Sequence, residues 1–131
     1  MAIRVVRLGT PRVSGEGLRV GTVRRPPRGV RKEEFAARDF FDVWLPELAP
    51  SPTLFAAARA APWTDARWNR YVRQYHKEMR DPRARHLIEL LAAMSKQTDF
   101  SVGCYCEDPT RCHRSLLSEL LVEAGAVMAT G

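Results

Sequence analysis

Over Ile3–Leu8, isoleucine and valine interleave with Arg4 and Arg7, a β-branched pattern that predicts a first strand. Gly9 to Gly17 reads as a loop rich in Gly, Pro and Ser. Leu18–Arg24 is a second strand pattern, weakened by Gly21 and closed by Pro26-Pro27, which lack the N–H a central strand needs. Gly29 then allows a sharp turn. Glu33–Leu45, with Phe35, Phe40, Phe41 and Trp44 as anchors, is predicted as a helix ended by Pro46. Ser51-Pro52 pairs an N-cap with proline at the first helical position and predicts a short helix to Ala58. After Pro62, Thr64 caps a longer helix, with Trp68, Tyr71, Val72, Tyr75 and Met79 at helical spacing. Asp81-Pro82 repeats the start signal for a helix carrying Leu87, Ile88, Leu91 and Met94.

Phe100–Cys106 predicts a third strand, with Phe100, Val102, Cys104 and Cys106 on one face. A last helix over about 111–124 turns Leu116, Leu117, Leu120 and Leu121 inward and ends at Gly125; Val127–Ala129 can add a short strand. Strands separated by helices predict an α/β fold, a small, largely parallel sheet flanked by helices in a Rossmann-like three-layer sandwich. Residues 1–131 read as one domain, with no internal repeat or linker.

Composition adds location and charge. Hydrophobic residues make up 45% and no apolar run is long enough to span a membrane. The first residues, Met1 to Arg7, carry no signal-peptide core, so a cytoplasmic protein is expected. Net charge is +6, and residues 1–38 concentrate it: nine arginines and one lysine against three glutamates. Such a patch attracts phosphate or nucleic acid, although few aromatics interleave with it for base stacking.

The candidate chemistry gathers in Cys104-Tyr105-Cys106-Glu107-Asp108-Pro109-Thr110-Arg111-Cys112-His113-Arg114, which holds all three cysteines. A strand-to-helix turn of this kind offers free N–H groups and a dipole that favour an anion, with Arg114 as a charged donor. A bland reading pairs Arg114 with Glu107 or Glu119. Cys112 at a helix start, beside His113, is a candidate nucleophile, with His113 or Glu107 as general acid or base. A Cys-x5-Arg phosphatase loop does not fit: six residues separate Cys104 from Arg111, and four separate Cys106 from it. Cys104 and Cys106 read mainly as strand core. Cys104, Cys106, Cys112 and His113, spaced Cys-x-Cys-x5-Cys-His, also offer four possible zinc ligands, and Cys106, Cys112 and His113 suggest a metal or thiol-redox site. However, the spacing lacks paired knuckles and adjacent helical residues diverge, so no metal is assigned and no cofactor is specified. Arg19, Arg24, Arg25, Arg28 and Lys32 form a second basic set, from which Arg24 and Arg28 are expected to complete the anion corner. His76 and His86 have no acidic or cysteine partner nearby in sequence and read as structural.

These residues resemble domain-of-unknown-function family 488, the YeaO-like proteins. The likeness rests on Arg19-Val20, Arg24, Pro27-Arg28-Gly29 with Lys32, Trp44 to Ser51, Trp68 to Tyr75 with Glu78, Cys106-Glu107-Asp108 and Cys112-His113-Arg114. It implies a small α/β domain of Rossmann-like character and no particular reaction. Where the family usually has Val-Asp-Arg-Leu-Trp, this chain has Val23-Arg24-Arg25-Pro26. The expectation is an enzyme or binding protein for a small phosphorylated or nucleotide-like anion. The alternative is a non-catalytic module that binds nucleic acid or protein through the basic N-terminal third.

Overall fold

A strand covered on both faces is buried along its whole length, and Phe100–Cys104 is such a strand, with small Ser101 and Gly103 alternating with Phe100, Val102 and Cys104. In the computed structural model, which describes residues 1–129, all five of its residues are buried. It is the last strand in sequence but lies inside the sheet. With β1 (Ile3–Arg7), β2 (Leu18–Gly21), β3 (Val43–Trp44) and β4 (Phe100–Cys104), the order is β1-β4-β2-β3. Every pairing is parallel, and Val102 sits level with Val5 on one side and Val20 on the other. Residues 127–129 add one parallel bridge, Met128 to Ile3, outside β1.

The helices are α1 (Pro52–Arg59), α2 (Asp65–Glu78), α3 (Pro82–Met94) and α4 (His113–Glu123). The first three start as their sequences dictate: Ser51, Thr64 and Asp81 each accept a backbone N–H of the first turn. All four pack on one face of the sheet, where Leu54, Tyr75, Leu91 and Leu117 meet Ile3, Val20 and Val102.

The opposite face is covered differently from expectation. No α-helix spans 33–45. A 3-10 turn at Lys32–Glu34 leads through irregular turns, with Asp39 at φ 62°, into β3. Helical propensity loses here to tertiary contacts. Phe35, Phe40 and Phe41 pack on Leu8, Val23 and Cys104. Asp42 accepts the Arg19 amide at 2.7 Å and Arg12 Nη1 at 2.8 Å. Val43 and Trp44 pair with Val20 and Gly21. Gly21 is required rather than weakening, since a Cβ there would lie 2.3 Å from the Phe41 ring.

Under this layer lies a polar knot. Arg19 is fully buried; its Nε and Nη2 donate to Glu16 at 2.7 and 3.0 Å, and Nη1 donates to the Thr10 and Asp39 carbonyls. Ser101 donates its hydroxyl to Glu16 at 2.7 Å. Two strands, β2 and β4, and two loops are thus fastened by one ion pair. Among the described residues, no helix is long and apolar enough to cross a membrane.

Candidate functional site

Ligands of open parallel sheets bind beyond the carboxyl ends of the strands, and the cysteine stretch lies there. Strand β4 ends at Cys104, two residues earlier than expected. The chain then leaves the sheet, so Cys106 is exposed and is not part of the strand core. Arg7 holds this exit, donating Nε to the Tyr105 carbonyl at 3.2 Å and pairing with Glu107 at 3.4 Å. The Tyr105 hydroxyl donates to the Arg25 carbonyl.

Asp108 caps a 3-10 turn, Pro109–Arg111, by accepting the Thr110 amide. Helix α4 begins a turn later, with Cys112 as its N-cap residue in extended conformation (φ −141°, ψ 151°). This corrects the expected divergence of Cys112 and His113. Because Cys112 lies outside the helix, its Sγ sits 3.7 Å from His113 Nδ1. It also sits 2.8 Å from Cys104 Sγ. The sulfurs of Cys104, Cys106 and Cys112 all lie within 4.8 Å of one another, and all three cysteines are free.

His113 is buried, and its Nε2 lies 2.6 Å from the Thr22 carbonyl. The natural assignment is Nε2–H donating to that carbonyl, which leaves the Nδ1 lone pair toward Cys112. Burial, only partly opposed by the carbonyl, lowers the His113 pKa and keeps the ring neutral. The thiols titrate as one cluster. The Cys104 and Cys112 thiols stabilise a thiolate on Cys106, which is held down at about 3, with the charge of Arg114 also favouring it. Cys104 and Cys112 are pushed up by that neighbouring charge and by burial.

Arg114 is 5% exposed. It pairs with neither Glu107 nor Glu119; its Nη1 donates across β4 to the Val6 carbonyl at 2.9 Å. Its buried Nε has no hydrogen-bond partner. The structure therefore brings Cys112, His113 and Arg114 together with Cys104 and Cys106. It does not bring in the other expected members. Glu107 is exposed on Arg7. Arg24 spends its guanidinium on the Pro50 and Ala49 carbonyls. Arg28 is exposed with no contact to the corner. Arg24 instead lines a separate open cleft of about 810 Å³ with Glu47, Lys77 and Glu78, whose Glu78 is already used by the Ser51 amide and hydroxyl.

Sequence reasoning missed Thr22 and Arg7, whose roles depend on backbone carbonyls that no motif encodes. Cys104 was offered beside Cys112 as one of four possible zinc ligands, and their sulfurs do lie 2.8 Å apart.

The family model described as the active DUF488-N3 subclade matches residues 3–125. The chain belongs to this DUF488 family. The match spans all four strands and all four helices, including the whole cysteine corner of this DUF488 chain. No curated protein and no solved structure matches it.

Proposed function

We propose that this DUF488 protein binds a small phosphorylated or nucleotide-like anion at the corner between β4 and α4, with Arg114 holding the anionic group. The observation that carries this reading is the Arg114 Nε: a charged donor, buried, with nothing to donate to. An unmade hydrogen bond of this kind costs about 1–3 kcal/mol, and an oxyanion would satisfy it. The first turn of α4 adds free N–H groups and a favourable dipole. Cys106 is the one cysteine a bound molecule can reach from solvent. Buried Cys112 and His113 position the corner, through Cys104 and the Thr22 carbonyl. The description of the family as active supports a reaction at this corner in addition to binding.

Calorimetric titration with inorganic phosphate and with a nucleoside monophosphate tests the reading. One saturable site per chain is expected. Arg114→Lys, which keeps the charge and loses the Nε–H, should weaken it about tenfold or more. Absence of saturable binding by both ligands, or equal affinity in a folded Arg114→Lys variant, overturns it.

A further inference from the structure

Three sulfurs and an imidazole nitrogen meet where β4 ends and α4 starts, and the anion reading above assigns no ligand to the sulfurs. We infer that Cys104, Cys106, Cys112 and Nδ1 of His113 form a tetrahedral site for a borderline-soft divalent cation of the zinc class.

The donor set is the first argument. Thiolate and imidazole ligands select zinc over the hard cations, and four such donors close a structural site. Distance is the second. Bonds of about 2.3 Å to sulfur and 2.0–2.1 Å to nitrogen place neighbouring sulfurs about 3.8 Å apart, and sulfur and nitrogen about 3.5 Å apart. The Cys112 sulfur and His113 Nδ1 are 3.7 Å apart, and the three sulfurs lie within 4.8 Å. The Cys104–Cys112 separation of 2.8 Å must open by about 1 Å to admit the ion, and His113 Nδ1, which lies beside Cys112 but is not within 4.8 Å of all three sulfurs, must draw in toward the other two.

The support around the ligands is the third argument. Metal-bound imidazoles give their other N–H to a carbonyl or carboxylate, which fixes the ring. His113 does this through Nε2 to the Thr22 carbonyl. Charge is the fourth. A divalent ion with three thiolates and a neutral imidazole carries one negative charge. Arg114, buried beside the cluster with no carboxylate partner, balances it. The bland alternative, three small residues filling a core, leaves Cys106 unexplained because it is exposed.

The test uses the full chain under reducing conditions, titrated with Co²⁺ and then with Zn²⁺. One equivalent of cobalt should give a thiolate-to-cobalt charge-transfer band and the intense visible bands of tetrahedral coordination, and zinc should bleach both. Cys106→Ser removes one ligand from an exposed position and should fold normally by circular dichroism. It should weaken cobalt binding more than about tenfold, beyond the lower end of the loss caused by removing an outer-shell partner. No charge-transfer band at stoichiometric cobalt, or undiminished affinity in Cys106→Ser, overturns the inference.

Discussion

At the scale of single residues, the most consequential interaction outside the cysteine corner is Glu16 with Arg19. Both side chains are almost fully buried, and a buried ion pair is retained only when its remaining donors and acceptors are satisfied. Here they are, by Ser101, the Val13 amide and two backbone carbonyls. Burial alone would push the Glu16 carboxyl up; the hydrogen bonds from Arg19, Ser101 and Val13, with the charge of Arg19, outweigh it and hold the carboxyl at about 2. The ordinary value is 4.5. A depressed carboxylate stabilises the fold above its unfolded pKa, and that stability disappears as pH falls through the folded one. Urea unfolding should therefore show full stability above about pH 5 and a loss of about 3 kcal/mol by pH 2 from this group. Glu16→Gln should cost about 3–5 kcal/mol at neutral pH, because it strands the Arg19 charge, and should flatten that acid limb. A Gln variant with an unchanged acid limb would show that another group titrates there.

At the scale of elements, what was legible depended on whether the signal was local. Ser51-Pro52, Thr64 and Asp81-Pro82 start helices through atoms within three residues of the cap, each such cap being worth about 1 kcal/mol. The structure has all three starts where the sequence puts them. The segment 33–45 failed because its fate is set by distant partners: the backbone of Arg19, the edge of β2 and the face of the sheet under Phe41. The cysteine stretch was legible as a candidate site, and the structure brings its three sulfurs together. The N-cap role of Cys112 was not, because the 3-10 turn after Asp108 shifts the helix start by a few residues. Gly17 and Gly15 separate local from long-range demands experimentally. Both have φ 78°, but a Cβ on Gly15 meets nothing, whereas one on Gly17 would lie 2.0 Å from the Asp99 carbonyl oxygen, just ahead of β4. Gly15→Ala should cost about 1 kcal/mol, from the left-handed backbone alone. Gly17→Ala should cost about 1–3 kcal/mol more, because β2 must move off β4. Equal chemical-denaturation midpoints for the two variants would show that β2 and β4 part freely at this end.

At the scale of the whole molecule, the helix layer communicates with the corner through one column of rings. Trp68 stacks on Tyr71 at 5.5 Å, Tyr71 lies parallel to Tyr75 at 6.4 Å, and Tyr75 meets the His113 ring at 5.8 Å. The basic N-terminal third is built into this framework too: Arg7, Arg12, Arg19 and Arg24 are spent on Glu107, Asp42, Glu16 and backbone carbonyls. The charge seen in the sequence is therefore partly internal bracing, which composition alone does not reveal. Tyr75 is where the parts converge. It is fully buried on α2, touches α4 through His113, and donates its hydroxyl at 2.7 Å to the Leu48 carbonyl, in the turn after β3. Burial raises its pKa far above the usual phenol value, so it remains a neutral donor. Tyr75→Phe keeps the ring and strands that carbonyl, at a cost of about 1–3 kcal/mol. For a chain of this length, that lowers Tm by about 4–12 °C. Tyr71→Phe is the internal control. It makes the same change one turn earlier, and the Tyr71 hydroxyl has no hydrogen bond among the described residues, so its Tm should move by less than about 2 °C. If the two variants melt together, the Leu48 carbonyl is satisfied without Tyr75, and α2 is joined to the turn after β3 by apolar packing and the Ser51–Glu78 hydrogen bonds.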